Sequence, residues 1–97
     1  MEECFIEHFE YEGTDYMIDV KPFYTLREEE KEQYHIREGD YLVHLFSSSG
    51  FKSFRMFTNE ELYWTTDADK YFVDKDLVEL IGSIIDEKNF LGGSFHP

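Results

Sequence analysis

The sequence predicts an α+β fold, in which a mainly antiparallel, meander-like sheet of about four to six strands carries one C-terminal amphipathic helix across a face. At about 100° per residue, the apolar side chains of residues 74–89 fall within an arc of roughly 160°. These side chains are Leu77, Val78, Leu80, Ile81, Ile84 and Ile85. Before residue 66, apolar residues alternate with polar ones in short runs between turn residues, which is typical of strands. The apolar arc of the helix therefore has a sheet to lie on.

Composition predicts a single domain, residues 1–97, with an acidic surface. Hydrophobic residues make up 41% of the chain and aromatic residues 19%, which is enough for one core. The 22 acidic side chains exceed the 9 basic ones, so the net charge is −13. Such a surface repels phosphate backbones and anionic membranes, and we expect neither nucleic acid nor membrane as a partner. A basic protein would be attracted.

The N-terminus and the cysteine content indicate a soluble, cytoplasmic protein. Cys4 is the only cysteine, so the chain forms no internal disulfide. The first residues lack the pattern of a secretory signal, and no run approaches the roughly 20 apolar residues of a membrane span.

Residues 4–11 and 16–23 predict an antiparallel hairpin. Both runs alternate in side-chain character, and Gly13 between them suits a tight turn with a positive φ. Pro22 lacks an amide donor and should mark the end of its strand or an edge position.

Residues 25–33 are mostly charged and predict a connection with up to one helical turn. Thr25 and Glu28 have the spacing of a capping box, but a helix of this length is marginal in water without packing. Residues 34–37 are expected to form a short strand, followed by a turn at Gly39.

The next strands are predicted at residues 40–46, 51–57 and 61–66. The first of them has apolar residues on both sides, which favours a central strand or one that is covered on both faces. Residues 47–50, three serines and a glycine, are predicted to form a loop.

The C-terminal helix has two candidate N-caps, Asp74 and Asp76. Gly82 lies inside the helix and costs about 0.5–1 kcal/mol relative to Ala. Since it borders the apolar arc, we interpret it as a point of close approach between helix and sheet. The helix is expected to stop at Asn89, Gly92 or Gly93.

No arrangement of residues predicts catalysis, a cofactor or a metal. Four residues of strand separate Cys4 from His8 by about 13 Å, too far for a nucleophile and its base or for one zinc ion. Residues 67–69 begin like a calcium loop, but Phe72 replaces the required glycine and Val78 the bidentate glutamate. We therefore expect a protein that is not an enzyme.

Residues 51–57 interleave basic and aromatic side chains, as on strands that bind single-stranded nucleic acid. The glycines of the RNA-binding pattern are absent and the net charge is opposed. Our interpretation is that Lys52 and Arg55 neutralise neighbouring carboxylates.

These features favour a small, acidic, non-catalytic interaction or accessory domain that contacts a protein partner, which its charge suggests is basic. The predicted contact residues are aromatic, and they are Phe51, Phe54, Phe57, Tyr63 and Trp64. One alternative is a small-molecule-binding domain with a pocket between sheet and helix lined by these aromatics. Another is an acidic mimic that occupies a nucleic-acid-binding protein.

Overall fold

The computed structural model describes residues 3–69 and 72–92, and within them it shows the predicted α+β architecture. Five antiparallel strands form one meander sheet in the order β1-β2-β3-β4-β5. Their bounds are β1 Phe5–Tyr11, β2 Thr14–Pro22, β3 Tyr41–Ser47, β4 Gly50–Thr58 and β5 Trp64–Thr66. Helix α1, Glu28–Tyr34, connects β2 to β3, and helix α2, Lys75–Gly92, packs on one face of the sheet. The Cα radius of gyration is 13.1 Å, close to the ~13 Å of a single domain of about 100 residues.

The β1–β2 hairpin turns through two residues, Glu12 and Gly13. Both have a positive φ, 50° and 78°, as a type I′ turn requires. Tyr11 and Thr14 flank the turn and pair directly. In a two-residue hairpin this flanking pair exchanges both backbone hydrogen bonds, and every second pair along the ladder then does the same.

Pro22 ends β2, as the sequence predicts. Thr14, next to the turn, directs its backbone groups towards β1, and every second residue of β2 after it does the same. Pro22 belongs to this series, so its nitrogen points towards β1 rather than towards β3. β1 begins only at Phe5, which pairs with Val20, so no β1 residue pairs with Pro22. The proline therefore removes no hydrogen bond from the ladder.

The main core lies between α2 and the facing side of the sheet, which confirms the predicted role of the apolar arc. Four of the six arc residues are buried, and Leu80 and Ile84 pack at the margin. The strand residues that bury most deeply against them are Ile18, Val20, Val43, Leu45, Phe54 and Met56. β3 is the middle strand of the five, as its two apolar sides predict.

Asp74, and not Asp76, caps α2. Its Oδ1 accepts a hydrogen bond from the backbone N–H of Asp76 at 3.0 Å, and its Oδ2 accepts one from the Tyr11 hydroxyl at 2.9 Å. Partial burial, and then this bond to a carboxylate, raise the pKa of Tyr11 to about 12. At the other end the helix runs through Asn89 to Gly92, and Gly93 lies outside the described residues.

The connection between β2 and β3 differs from its prediction. The helical part is the seven-residue α1, and its N-cap is Arg27. The Glu30 carboxylate accepts the Arg27 backbone N–H at 3.2 Å, whereas the Thr25 hydroxyl donates to the Pro22 carbonyl. The Thr25–Glu28 capping box is therefore wrong, because a short 3-10 helix at Phe23–Thr25 already engages Thr25.

The strand predicted at residues 34–37 is also wrong. Tyr34 ends α1, and His35 takes a left-handed conformation with a φ of 56°. Ile36 then packs with Leu26 and Leu42 in a second small core, which lies on the sheet face opposite α2. Burial of these apolar side chains outweighs the local strand propensity.

The last strand is shorter than predicted. The Asn59 side-chain oxygen accepts the backbone N–H groups of Glu61 and Tyr63, at 2.9 and 3.0 Å. This local bonding competes with the ladder and holds a turn in which Leu62 has a φ of 67°. Only residues 64–66 pair with β4.

Candidate functional site

The five aromatic residues predicted to form a contact do not share one surface. Phe54 and Trp64 pack beneath α2 in the main core. Phe51 and Phe57 alternate with Phe54 along β4 and lie on the opposite side of the sheet. Tyr63 is 65% exposed in the turn before β5. Their role in binding stays a prediction. Of the five, Phe51 is the one that is part of a larger exposed surface.

We call this surface the open face: the part of the sheet opposite α2 that α1 leaves uncovered. The strand registers arrange it in two rows that cross β1, β2, β3 and β4. The first row is His8, Met17, Phe46 and Phe51, and the second is Ile6, Asp19, His44 and Ser53. Ile6 and Phe51, at opposite margins, are each 58% exposed. The first row thus forms a largely apolar strip across four strands.

The rings on the open face are held by one another. The Phe51 ring centroid lies 4.9 Å from that of Phe46 and 5.7 Å from the His44 ring, with which it stacks. His44 Nδ1 and Ser53 Oγ are hydrogen-bonded at 2.7 Å. Rings ordered before binding lose little entropy when a partner packs on them.

The electrostatic surroundings of His44 disfavour its charged form. Partial burial lowers its pKa, and the Lys21 ammonium lowers it further, whereas the Asp19 and Glu30 carboxylates oppose this shift. A histidine with a depressed folded pKa contributes stability above the unfolded value of about 6.5. That contribution is lost as the pH falls through the folded pKa.

We predict that the His44 ring titrates below pH 6.5 in an NMR pH titration. Lys21→Gln should raise the midpoint because it removes a neighbouring cation, and Asp19→Asn should lower it because it removes an anion. The two variants change opposite charges beside one ring, so each controls for the other. A shift of both midpoints in the same direction would contradict this account of the site.

The basic residues of β4 are engaged within the protein. The buried Arg55 guanidinium donates to the His35 carbonyl at 3.1 Å and lies 3.7 Å from Asp40 and 3.8 Å from Asp67. This geometry agrees with the interpretation that Arg55 neutralises neighbouring carboxylates. Lys52 instead donates to the Phe72 carbonyl at 2.5 Å. Neither side chain projects freely as a phosphate contact would.

A cleft of about 390 Å³ lies between β5 and the first turns of α2. It is lined in part by Tyr63, Trp64, Val73, Lys75 and Glu79. The Trp64 indole N–H donates to the Asp86 carboxylate at 3.0 Å. A cleft between sheet and helix is where the alternative function places a ligand, but only two of the five predicted aromatics line it.

The sequence did contain one signal for the open face. Apolar side chains on both sides of residues 40–46 predict two apolar sheet faces, but α1 covers only the Leu42 end of the second face. His44 and Phe46 are left half-exposed beyond it. Ile6, His8 and Met17 gain their place only through the register of β1 and β2, which composition does not reveal.

Within residues 3–69 and 72–92, no three His, Cys, Asp or Glu side chains are arranged to hold a metal ion. The described helices include none with both the length and the apolar character to cross a membrane. In comparisons with known proteins, no family model matches this sequence, and no curated protein or solved structure matches the chain.

Proposed function

We propose that this chain is a small, non-catalytic interaction domain that binds a basic protein through its open face. The observation that carries the proposal is the strip His8–Met17–Phe46–Phe51, which crosses four hydrogen-bonded strands and has no covering element among the described residues. Contiguous exposed apolar strips on soluble proteins commonly mark interaction sites.

The open face has the anatomy of a protein contact. Aromatic rings and a methionine lie along its centre, and such residues are enriched at interfaces. Acidic residues border it, since Glu10 and Asp15 form the next cross-strand pair beyond His8 and Met17. An apolar centre with a charged rim combines contact energy with selection by charge.

The net charge determines which kind of partner is favoured. A chain with a net charge of −13 repels other acidic proteins and accelerates encounters with basic ones. The chemistry of the open face needs no cofactor or metal to make this contact.

We predict that Phe51→Ala lowers the capture of a basic partner at least about tenfold, because an aromatic anchor is typically worth more than 1 kcal/mol. The measurement is quantitative mass spectrometry of proteins captured from native lysate by immobilised wild-type and variant chains. Leu62→Ala is the matched control, since Leu62 is a 79% exposed apolar residue away from the open face. Equal capture by wild type and Phe51→Ala, or no specific capture by wild type, would contradict the proposal.

The cleft beside Trp64 supports a second candidate function, the binding of a small aromatic or apolar molecule. Its volume lies within the range of ligand pockets, and Trp64 contributes to its wall. Because Trp64 is the only tryptophan, a ligand in the cleft should change the protein fluorescence. If a chemical screen finds a compound that changes the fluorescence of wild type but not that of Tyr63→Ala, this function is favoured over the first.

A further inference from the structure

We propose that the partner adds a basic, extended strand along the free edge of β1, in the same sheet and next to the open face. This inference rests on the proposed function and specifies how the partner docks. It is carried by the geometry of the edge, by the charge around it and by its continuity with the apolar strip.

β1 is an edge strand whose backbone can pair with another chain. It is first in the strand order, and no described element pairs with its outer side. The two-residue turn at Glu12 and Gly13 sets which of its groups point outward. The backbone groups of every second residue of β1 bond to β2, and these residues are Phe5, Glu7, Phe9 and Tyr11. The N–H and C=O groups of the residues between them, Ile6, His8 and Glu10, therefore point away from the sheet. A partner strand can bond to all three residues.

The opposite edge of the sheet is less accessible. β5 covers only the last three residues of β4. The hydroxyl of Thr66, the last residue of β5, donates to the Arg55 carbonyl at 2.6 Å, and Lys52 donates to the Phe72 carbonyl. These bonds engage one backbone carbonyl of β4 and hold Phe72 near Lys52, which leaves this edge less open to an added strand.

Charge selects the occupant of the β1 edge. Residues 3–20 contain six carboxylates and neither lysine nor arginine. The one described cation that reaches β1 comes from α2, where Lys88 lies 3.0 Å from the Glu7 carboxylate. A second copy of this chain would bring a second acidic edge against the first, whereas a basic strand would be attracted.

The side chains that protect the β1 edge against unwanted pairing also fit a basic partner strand. Edge strands commonly avoid unwanted pairing through lysine, proline or bulges. β1 has none of these, and it pairs with β2 without interruption from Phe5 to Tyr11. Its charged side chains are glutamates, which discourage pairing between copies but not pairing with a cationic strand.

Continuity with the open face defines the chemistry of the added strand. If the added strand is antiparallel, the residues that bond to Ile6, His8 and Glu10 place their side chains on the open-face side and extend the strip by one strand. An apolar residue suits the position beside Ile6, and Lys or Arg suits the position beside Glu10. The fitting partner segment is therefore a β-prone run whose open-face positions are apolar or β-branched at the end beside Ile6 and basic at the end beside Glu10.

A designed peptide tests this inference directly. The probe is a capped peptide of about eight residues built from Lys and Val, with Val at the position beside Ile6 and Lys at the position beside Glu10, and it matches the seven residues of β1 in length. We expect it to shift the amide resonances of Ile6, His8 and Glu10 in the NMR spectrum of the full chain and to slow their hydrogen exchange. A Glu–Val peptide should not bind. A Lys–Val peptide N-methylated at alternate residues should bind at least about tenfold more weakly, because it lacks the edge donors.

Two variants separate backbone pairing from side-chain contact. His8→Pro removes an outward N–H without removing a bond to β2, whereas His8→Ala keeps that N–H. With both variants shown to be folded by circular dichroism, His8→Pro should bind the Lys–Val peptide at least about tenfold more weakly than His8→Ala, because both variants lack the imidazole and only His8→Pro lacks the N–H. Equal binding by the two variants, absence of peptide binding, or shifts confined to β3 and β4 would overturn strand addition.

The proposed function and this inference fail in different ways. Capture of a basic partner that depends on Phe51 but is unchanged in His8→Pro would support the open face and overturn the added strand. Reversible dimers in sedimentation that His8→Pro abolishes would assign the edge to a second copy, and this too would overturn the basic occupant.

Discussion

Ile81→Asp is expected to unfold the domain or to remove most of its stability. Ile81 is fully buried between α2 and the sheet, at the centre of the apolar arc. Truncation of a buried isoleucine alone costs about 2–5 kcal/mol, and an unpaired buried carboxylate adds to this. Because native stability is typically about 5–15 kcal/mol, the sum approaches the whole free energy of unfolding.

Thermal and urea melts followed by circular dichroism measure this effect. Ile81→Val should cost only about 0.5–1.5 kcal/mol, since it keeps most of the packing. Glu87→Lys, at an exposed position of the same helix, should cost little or stabilise slightly because it places a cation near the C-terminal end of the helix dipole. If all three variants melted close to wild type, α2 would not lie on the sheet.

Gly82→Ala is the second variant with a large expected effect, and its direction opposes helix propensity. Alanine at an exposed helical position would stabilise the helix by about 1 kcal/mol. At Gly82, a Cβ atom would overlap Cγ and Cδ1 of Trp64 and would lie 2.7 Å from its Cβ. These atoms are next to the backbone of β5 and cannot swing aside, so we expect a net loss of about 1–3 kcal/mol from overpacking.

A double-mutant cycle with Trp64→Ala identifies the cause of that loss. In the Trp64→Ala background the overlap with the indole is gone, so Gly82→Ala should cost much less or become stabilising. Urea melts of wild type, both single variants and the double variant provide the four free energies. A Gly82→Ala variant that is more stable than wild type would show that α2 does not approach Trp64 closely.

Of the residues in the two rows of the open face, only Phe51 was among the contact residues predicted from the sequence. Phe51 is exposed at one margin of the open face, but Phe54, two positions before Met56 on the same strand, is buried under α2. Local alternation shows that Phe51 and Phe54 lie on different faces of β4, but it does not show which face α2 covers. The register that brings His8 and Met17 into line with Phe46 and Phe51 depends on pairing between strands that are distant in the chain.

Periodicity and local chemistry by themselves determined the α+β class, the meander of antiparallel strands followed by the C-terminal helix, the central position of residues 40–46, and the close approach at Gly82. Each is a property of neighbouring residues: the phase of an apolar arc, the alternation along a strand, or a glycine where a side chain would not fit. The tertiary structure alone decided that the chain leaves α1 through a left-handed conformation at His35, because Ile36 packs onto Leu42. It also decided that α1 covers only one end of the second sheet face, and so left the strip from His8 to Phe51 exposed. Burial by contacts between distant segments is a property of the whole chain, and no local pattern specifies it.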